Sequence, residues 1–438
     1  MERKAIVFCA LSLLLASCDG GGGTWVTDTA GTSSTGSTTG TTSSSSSQQT
    51  DGQVPMALIQ ATDGNFYGVT EGGGTNGVGT FFRLTTAGVE TVLYSFAGGS
   101  ADGAYPWGLI QGSDGNFYGT TKEGGVQTCS LPNSSGSGTT TGACGVVFKV
   151  TSTGAESVVY SFTGQSDGSI PTGRLIQAGN GSLYGTAEFG GLVNTSCPSG
   201  CGVVYQIPPG GAESALYSFK GTAASDGQAP TSVTQGTDGN FYGITVSGGP
   251  GNFGTVFALT IGGTETVLYS FLGTSDGYNP TAPLVEGANG SFYGTALLGG
   301  TAGAGTVFNV TTAGVKTTLY SFTGSPDGAI PTGGLLLASD GEFYGATDDG
   351  GNVTTCNGGC GTVFSLTTTG QESILYNFPA AGTTTSPVAP GPGGLIQATD
   401  GNLYGITLGD GQYGYGTVYR MNFSGTKTVI YSFGAPQT

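Results

Sequence analysis

Leu109–Thr121 reads Leu-Ile-Gln-Gly-Ser-Asp-Gly-Asn-Phe-Tyr-Gly-Thr-Thr, and variants of this stretch recur from residue 51 to the C-terminus. Each copy continues with a segment like Gly145–Phe148, which reads Gly-Val-Val-Phe, and then with one like Tyr160–Phe162, which reads Tyr-Ser-Phe. The Phe/Leu-Tyr-Gly core marks seven copies by its tyrosine: Tyr67, Tyr118, Tyr184, Tyr242, Tyr293, Tyr344 and Tyr404. A tandem repeat of this size predicts a propeller or a solenoid, in which each copy forms one unit.

One repeat reads as four β-strands, which we call A to D. Leu-Ile-Gln lies on strand A, and an Asp-Gly or Asn-Gly dipeptide, such as Asp114-Gly115, precedes strand B at the Phe-Tyr-Gly core. These dipeptides favour a type I′ hairpin turn, because they accept the positive φ that it requires. Gly254–Phe257 is typical of strand C, and Thr266–Phe271 of strand D.

The sequence therefore predicts an all-β fold, a seven-bladed β-propeller of four-stranded antiparallel blades. A parallel β-helix with two rungs for each repeat is the alternative, and the hairpin turns argue against it because hairpins form antiparallel pairs. The repeats start on strand A and end on strand D at Tyr431–Phe433. Each blade should then be contiguous in sequence, and the ring should close by packing and not by strand exchange.

Composition excludes several classes of function. The 438 residues include 87 glycines, only 8% are charged, and the net charge is −17 with a pI near 4.1. Nucleic-acid binding needs a basic surface and is not expected. The chain has no histidine, and so lacks the commonest general base and the commonest zinc ligand. We predict no metal site and no cofactor.

The N-terminus resembles a bacterial export signal. Residues 1–17 combine a charged start with a short apolar segment, and they end at Leu15-Ala16-Ser17 before Cys18, which resembles a lipobox. We expect lipidation of Cys18, with ordinary signal cleavage as the alternative. Residues 18–50 are rich in Gly, Ser and Thr and predict a flexible tether. Residues 51–438 would form the propeller, anchored in the bacterial cell envelope and facing the periplasm or the cell exterior.

Six further cysteines form three local pairs in B–C connections: Cys129/Cys144, Cys197/Cys201 and Cys356/Cys360. In an exported protein, cysteines paired in this way predict disulfides. Metal ligation is the alternative, but no histidine completes a ligand set and the pairs lie in separate repeats.

Two polar positions recur from repeat to repeat. An aspartate opens the Asp-Gly-x-x-Pro motif at Asp51, Asp102, Asp167, Asp226, Asp276 and Asp327. A ring of these carboxylates could bind Ca²⁺, while an Asx-type turn before the proline is the reading that recurrence favours. A glutamine ends strand A at Gln60, Gln111, Gln177, Gln235 and Gln397. Glu286 and Leu337 break this series, so Glu286 is the one candidate acid on the channel side.

Aromatic residues outside the repeat pattern are the candidates for ligand binding. They lie in D–A or B–C connections: Tyr105, Trp107, Phe189, Phe253, Tyr278, Tyr413 and Tyr415. These two connections emerge on the same face of a four-stranded meander, which we call the variable face because it carries the differences in length and the cysteines. Exposed loop aromatics suit recognition of sugars or proteins. The alternative is that they fill space in glycine-rich loops.

The repeat resembles the GloVer tandem-repeat family of "choice-of-anchor" bacterial surface proteins. The motifs that carry this resemblance are Tyr-Ser-Phe, Asp-Gly-x-x-Pro, Leu-Ile-Gln and Asp-Gly-Asn-Phe-Tyr-Gly-Thr-Thr within Tyr94–Thr121, and Gly-Thr-Val-Phe at Gly254–Phe257. Repeat 7 departs from them at Pro387–Gly394. The resemblance implies export and anchoring and brings no catalytic residues, while the A-to-D pattern is also similar to that of NHL-type propellers.

These features favour a lipid-anchored, extracytoplasmic propeller that acts as a binding or structural surface module. We expect a monomer whose partners are the membrane and a polysaccharide or a surface protein, bound at the variable face. The alternative is an enzyme of the lactonase or glycosidase type with a site in the central mouth, which would need clustered carboxylates or a metal. No cluster of acids outside the repeat pattern stands out in the sequence, so we do not favour an enzyme.

Overall fold

The computed structural model of the chain describes residues 51–126, 128–132, 139–352, 356, 358–379 and 390–435. The signal peptide, Cys18 and the tether predicted in residues 1–50 lie outside the described residues, as does Pro387 of repeat 7. Within the described residues, the strands form seven four-stranded antiparallel sheets, each built from contiguous sequence in the order A-B-C-D. The structure therefore confirms the predicted seven-bladed β-propeller.

The strands follow the repeats. Blades 1 and 2, with an extra hairpin of β7 and β8, comprise β1 (Gly52–Gln60), β2 (Phe66–Gly73), β3 (Thr80–Leu84), β4 (Glu90–Ser95), β5 (Gly103–Gln111), β6 (Phe117–Gly124), β7 (Thr128–Pro132), β8 (Thr139–Ala143), β9 (Val146–Val150) and β10 (Glu156–Ser161). Blades 3 and 4 comprise β11 (Ile176–Gln177), β12 (Leu183–Ala187), β13 (Val203–Ile207), β14 (Ser214–Ser218), β15 (Gly227–Gln235), β16 (Phe241–Gly248), β17 (Thr255–Leu259) and β18 (Glu265–Ser270). Short 3₁₀ turns at Thr222–Ala224 and Thr274–Asp276 precede β15 and β19.

Blades 5 to 7 complete the ring, and an additional two-stranded pair, β23 with β26, lies beside blade 6. Their strands are β19 (Val285–Glu286), β20 (Phe292–Ala296), β21 (Thr306–Val310), β22 (Lys316–Ser321), β23 (Gly328–Ala329), β24 (Leu336–Leu337), β25 (Phe343–Thr347), β26 (Asp349–Gly350), β27 (Thr362–Leu366), β28 (Glu372–Asn377), β29 (Ile396–Gln397), β30 (Leu403–Thr407), β31 (Thr417–Met421) and β32 (Lys427–Ser432).

The turn between strands A and B differs in detail from the prediction. In blade 1 the N–H of Gly64 donates to the carbonyl of Ala61 at 2.9 Å, so Thr62 and Asp63 are the central residues. Neither has a positive φ, while Gly64 has φ +82°. The left-handed residue therefore follows the turn, as in hairpins with a glycine after a type I turn, and the predicted type I′ turn is wrong. The antiparallel pairing of the strands is unaffected.

Strand B supplies aromatic side chains to the contacts between blades. Where the next blade has a phenylalanine before its own marker tyrosine, the marker tyrosine of one blade packs on it, as Tyr67 does on Phe117 with ring centroids 4.2 Å apart. The glycine after the tyrosine is needed for close packing within the blade. A Cβ on Gly243 would lie 2.4 Å from the ring of Phe257, so the Phe-Tyr-Gly core has no room for a third side chain.

The repeated aspartate links neighbouring blades. The hydroxyl of Tyr94, on the last strand of blade 1, donates to Asp102 at the start of blade 2 at 2.9 Å. The same carboxylate accepts the N–H groups of Ala97 and Gly103, each at 2.6 Å. The carboxylate thus bonds local amides, but an Asx-type turn would bond the N–H two residues on, so the predicted Asx-type turn is wrong. The aspartates therefore act in the blade interfaces, which we call seams.

The first and last blades meet by the same contacts. Tyr404 of blade 7 packs on Phe66 of blade 1 at 4.4 Å, and the Tyr431 hydroxyl donates to Asp51 at 3.0 Å. In addition, the N–H of Val54 donates to the carbonyl of Tyr415 at 2.9 Å. The ring therefore closes by packing and hydrogen bonds between complete blades, as the order of strands in the sequence predicts.

The three predicted disulfides are confirmed: Cys129–Cys144, Cys197–Cys201 and Cys356–Cys360. They indicate an oxidising, extracytoplasmic location. In the part of the chain that the structure describes, no helix has the length and hydropathy needed to span a membrane.

Candidate functional site

A cavity of about 1840 Å³ runs through the ring, and residues of all seven A strands or their approaches line it. It extends from strand-A glutamines such as Gln60 and Gln177 to residues of the D–A and B–C connections, such as Phe189 and Asn252. The cavity thus connects the centre of the ring with the variable face. Its walls are largely aliphatic, with side chains that include Leu58, Ile110, Leu175, Val233, Leu284, Leu335 and Ile396.

The length of strand A differs between blades and shapes this cavity. It has nine residues in blades 1, 2 and 4 and two in the others. In blade 3 an extra residue, Arg174, stands between the proline and the Leu-Ile pair, where blade 2 has only Trp-Gly. The long strands instead carry a bulge, which in blade 2 falls between Pro106 and Gly108. Bulges re-aim side chains, and the bulge residue Trp107 lines the cavity.

The residue four positions after the marker tyrosine breaks the sevenfold pattern. We call these seven residues the mouth ring: Glu71, Lys122, Glu188, Val246, Leu297, Asp348 and Leu408. All except Asp348 line the cavity, and Asp348 accepts a hydrogen bond at 2.7 Å from Thr332, which does. Burial raises the pKa of Asp348 to about 7. Blades 1 to 3 therefore present consecutive charged groups, whereas blades 4, 5 and 7 present apolar ones.

The charged groups of blades 1 to 3 interact with each other. Lys122 Nζ lies 2.7 Å from Glu71 Oε1 and 4.0 Å from the centroid of the Trp107 ring. Glu188 is only 6% exposed, and burial raises its pKa to about 7 against the opposing effect of Lys122. Glu123 is exposed beside Lys122 and also lines the cavity. We call Glu71, Trp107, Lys122, Glu123 and Glu188 the mouth cluster.

The structure brings only some of the predicted site residues together. Trp107 and Phe189 both line the cavity. Tyr105 lies close to the mouth cluster, since burial and the charges of Glu123 and Glu71 raise its pKa. The remaining aromatics are not cavity residues: Phe253 and Tyr278, which pair at 5.5 Å, and Tyr413 and Tyr415, which are exposed.

Glu286 lies at the opposite end of strand A from the mouth. Its carboxylate accepts hydrogen bonds from the N–H and hydroxyl of Thr237, at 2.8 and 2.7 Å, in the A–B turn of blade 4. Gln111 makes the matching contact with Thr62 of blade 1 at 2.9 Å. Glu286 thus occupies the place of the recurrent glutamine in a contact between blades and does not line the cavity.

The sequence analysis missed five charged residues of the cavity: Glu71, Lys122, Glu123, Arg174 and Glu188. Two signals in the sequence would have found all of them except Glu123. The position four residues after the marker tyrosine holds Glu, Lys, Val, Leu or Asp, although the residue before it is Thr or Ala in every repeat. Arg174 is the extra residue of a strand A that is otherwise uncharged. Among the described residues no group of three or more potential metal ligands is present.

Comparisons with known proteins agree with the fold. The profile of a family described as the Gloeobacter/Verrucomicrobia repeat matches residues 16–196 and 191–391. A search of curated proteins found no match. Among solved structures, virginiamycin B lyase from Staphylococcus aureus, an inactive variant with quinupristin, is 14% identical with a TM-score of 0.53, covering 82% of this chain and 92% of that one.

Two further solved structures are similar in fold. A protein assigned as a 6-phosphogluconolactonase from Bacteroides uniformis is 14% identical with a TM-score of 0.50, covering 87% of this chain and 95% of its own. The extracellular domain assigned to a hybrid two-component system of B. thetaiotaomicron is 9% identical with a TM-score of 0.52, covering 82% of this chain and 38% of that one. At these identities the likeness shows the fold alone and says nothing about function.

Proposed function

This chain belongs to the Gloeobacter/Verrucomicrobia repeat family, and we propose that it is a lipid-anchored binding module of the bacterial cell envelope whose ligand occupies the axial cavity from the variable face. The observation that carries this proposal is the mouth ring. The seam aspartate recurs in six of the seven repeats, whereas the residue where the cavity meets the variable face is charged on blades 1 to 3 and apolar on blades 4, 5 and 7.

The features of the cavity suit a ligand that is partly inserted. Ligand sites are concave and mostly apolar, with a few polar groups that fix orientation, and the aliphatic wall and the mouth cluster meet this description. Trp107 and Phe189 add aromatic surfaces at the mouth, and such residues often anchor protein or sugar ligands. The disulfides support a location outside the cytoplasm, and Leu15–Cys18 supports attachment by a lipid on Cys18. The ligand would be part of a surface protein or of a polysaccharide.

Binding assays on matched variants test the position of the site. Purified full-length chain with Cys18→Ser would be titrated calorimetrically with envelope polysaccharides and with peptides. Trp107→Ala alters the mouth, while Asp114→Asn alters an A–B turn on the opposite face, where Asp114 pairs with Lys149 at 2.9 Å. We expect Trp107→Ala to weaken binding by about 2 kcal/mol, as for an interface anchor, and Asp114→Asn to leave it unchanged. The reverse pattern would place the site on the face of the A–B turns and would refute the proposed position.

An enzyme is the second candidate, and Glu188 is the observation that favours it. An acid with a pKa near 7 is suited to proton transfer at neutral pH, and Glu188 has such a pKa beside Lys122. Its small exposed fraction, 6%, limits contact with a substrate, so we place binding first. Turnover of lactones or glycosides that Glu188→Gln abolishes, without loss of ligand affinity, would reverse this order.

A further inference from the structure

Arg174 is an unusual residue at its position. In the seven A strands and their approaches, between the D–A proline or its equivalent and the glutamine position, no other residue is charged. Arg174 is exposed and lines the cavity. It lies close to Trp107, since a Cβ on the adjacent Gly108 would be 3.1 Å from the Arg174 Cα. The Cα of Arg174 is thus placed beside strand A of blade 2, next to the segment that carries Trp107.

The guanidinium of Arg174 has no counter-ion among the described residues. It forms none of their ion pairs or hydrogen bonds, and desolvation by the surrounding blades lowers its pKa while no carboxylate opposes this shift. Glu188 responds to Lys122 instead, and Glu71 is paired with Lys122 as well. Arg174 is exposed within the cavity, so its guanidinium stays accessible to an anion that enters from the mouth. In a chain with a net charge of −17, leaving this cation without a partner calls for an explanation.

The chemistry of the wall narrows what could neutralise Arg174. A guanidinium binds a carboxylate through two parallel hydrogen bonds. Threonines such as Thr172 and Thr231 also line the cavity and present hydroxyls, but the apolar side chains that make up most of its wall, such as Leu175, Leu284 and Leu335, offer no hydrogen bonds to a saccharide. They offer apolar contact instead, which stabilises aliphatic groups. The site therefore fits one negative charge carried on an apolar body.

We propose that the axial cavity binds an apolar carboxylic acid, and that Arg174 holds its carboxylate. The favoured source is the C-terminus of a polypeptide whose last residues are apolar, because the cavity reaches the variable face, where the rest of that partner would remain outside. A free alkyl acid presents the same chemistry. This inference rests on the proposed function and deepens it by choosing the ligand class.

The fluorescence of Trp107 can report binding. The chain contains two tryptophans, so full-length chain with Cys18→Ser and Trp25→Phe keeps Trp107 as the only one. Three probes would be titrated: the acetylated peptide Ala-Leu-Val-Leu with a free C-terminus, the same peptide with a C-terminal amide, and decanoate. Arg174→Gln is the test variant. Arg420→Gln is the matched control, because Arg420 is exposed on β31 and does not line the cavity.

We expect the free-acid peptide to bind saturably, and both amidation and Arg174→Gln to weaken it by about 10- to 100-fold, as for loss of a hydrogen bond to a charged group. Arg420→Gln should bind like the parent chain. Tighter binding of decanoate than of the peptide, lost in Arg174→Gln, would support the carboxylate site with an alkyl acid as its source. Equal binding of acid and amide would overturn the role of Arg174 and leave the cavity as a binding site. If the fluorescence of Trp107 responds to none of the three probes, the inference is overturned. The proposed function would still stand if calorimetry showed saccharide binding that Trp107→Ala abolishes.

Discussion

The seams between blades should make the stability of the propeller depend on pH. In five blades a half-buried glutamate at or directly before the start of strand D lies close to a seam aspartate: Glu90, Glu156, Glu213, Glu265 and Glu372. Burial, with the nearby aspartate charge as a second cause, raises the pKa of Glu265 to about 7 and that of Glu90 to about 8. One carboxylate oxygen of each glutamate is buried without a hydrogen-bond partner. The folded state therefore favours the protonated glutamates.

The direction and size of the effect follow from these shifts. A glutamate whose pKa is raised on folding gives its full contribution to stability below the unfolded pKa and loses it as the pH rises through the folded pKa. For Glu265 the shift is from 4.5 to about 7, which corresponds to about 3 kcal/mol at about 1.4 kcal/mol for each pH unit. The A–B turn aspartates act oppositely. Hydrogen bonds from Asn240 and Tyr242 lower the pKa of Asp238, so its contribution is lost in acid.

Urea unfolding followed by circular dichroism between pH 5 and pH 9 would measure this effect. We expect the parent chain to lose stability from pH 5 to pH 8, because the loss occurs between the unfolded and the folded pKa values, and Glu265→Gln to lose about 2.5 kcal/mol less between pH 5 and pH 9. Glu286→Gln is the control, because it lies in an A–B contact and introduces the residue that blades 1 to 4 and 7 carry there. A flat or rising profile in the parent chain, or identical slopes for Glu265→Gln and the parent, would refute the reasoning.

Three further predictions concern a seam, the ring and the anchor. Lys316 replaces the seam glutamate in blade 5, and its Nζ lies 2.6 Å from Asp276 Oδ1. Lys316→Met should lower the unfolding free energy by about 2 kcal/mol, because the half-buried Asp276 loses its cation and keeps only its hydrogen bonds from Tyr269 and Leu272. An unchanged urea midpoint would contradict this. Deleting residues 276–326 should give an unstable open array, which a soluble six-blade product with unchanged melting would disprove. Cys18→Ser should release the protein from membranes or block its processing, with the propeller intact by circular dichroism; membrane association that persists would exclude lipidation of Cys18.

The repeated parts of the molecule could be predicted from the sequence. Asp-Gly turns, the Phe-Tyr-Gly core and the Tyr-Ser-Phe strand recur because each makes the same local or inter-blade contact in every unit, as Asp102 does with Tyr94. Seven copies of one pattern, read together, identify strands that a single copy would not. The turn type was wrong because Asp-Gly serves two kinds of hairpin, and the φ of Asp63 depends on loop length as well as residue type.

The mouth cluster could not be assembled from the sequence alone. Glu71, Lys122 and Glu188 come from three different blades, and they meet only because the ring brings equivalent positions around one axis. Arg174 is itself the extra residue that blade 3 has before its Leu-Ile pair, and strand A of that blade is only two residues long. Glu286 is an exception to the glutamine series, but its neighbours in sequence do not reveal that its partner is Thr237 of the preceding blade.

The contrast between seams and mouth explains why irregular residues are the better guide to function in this protein. A seam residue such as Asp102 contacts two blades, so a change there affects the stability of the whole ring, and the repeat is maintained. A mouth-ring residue such as Val246 faces the cavity, and the fold accepts Val, Leu, Glu or Lys at that position in different blades. Folding therefore does not dictate which residue stands there. On the proposed function, the charges at the mouth of blades 1 to 3 and the cation of Arg174 would contact the ligand, which lacks the sevenfold symmetry of the ring and therefore needs an asymmetric site.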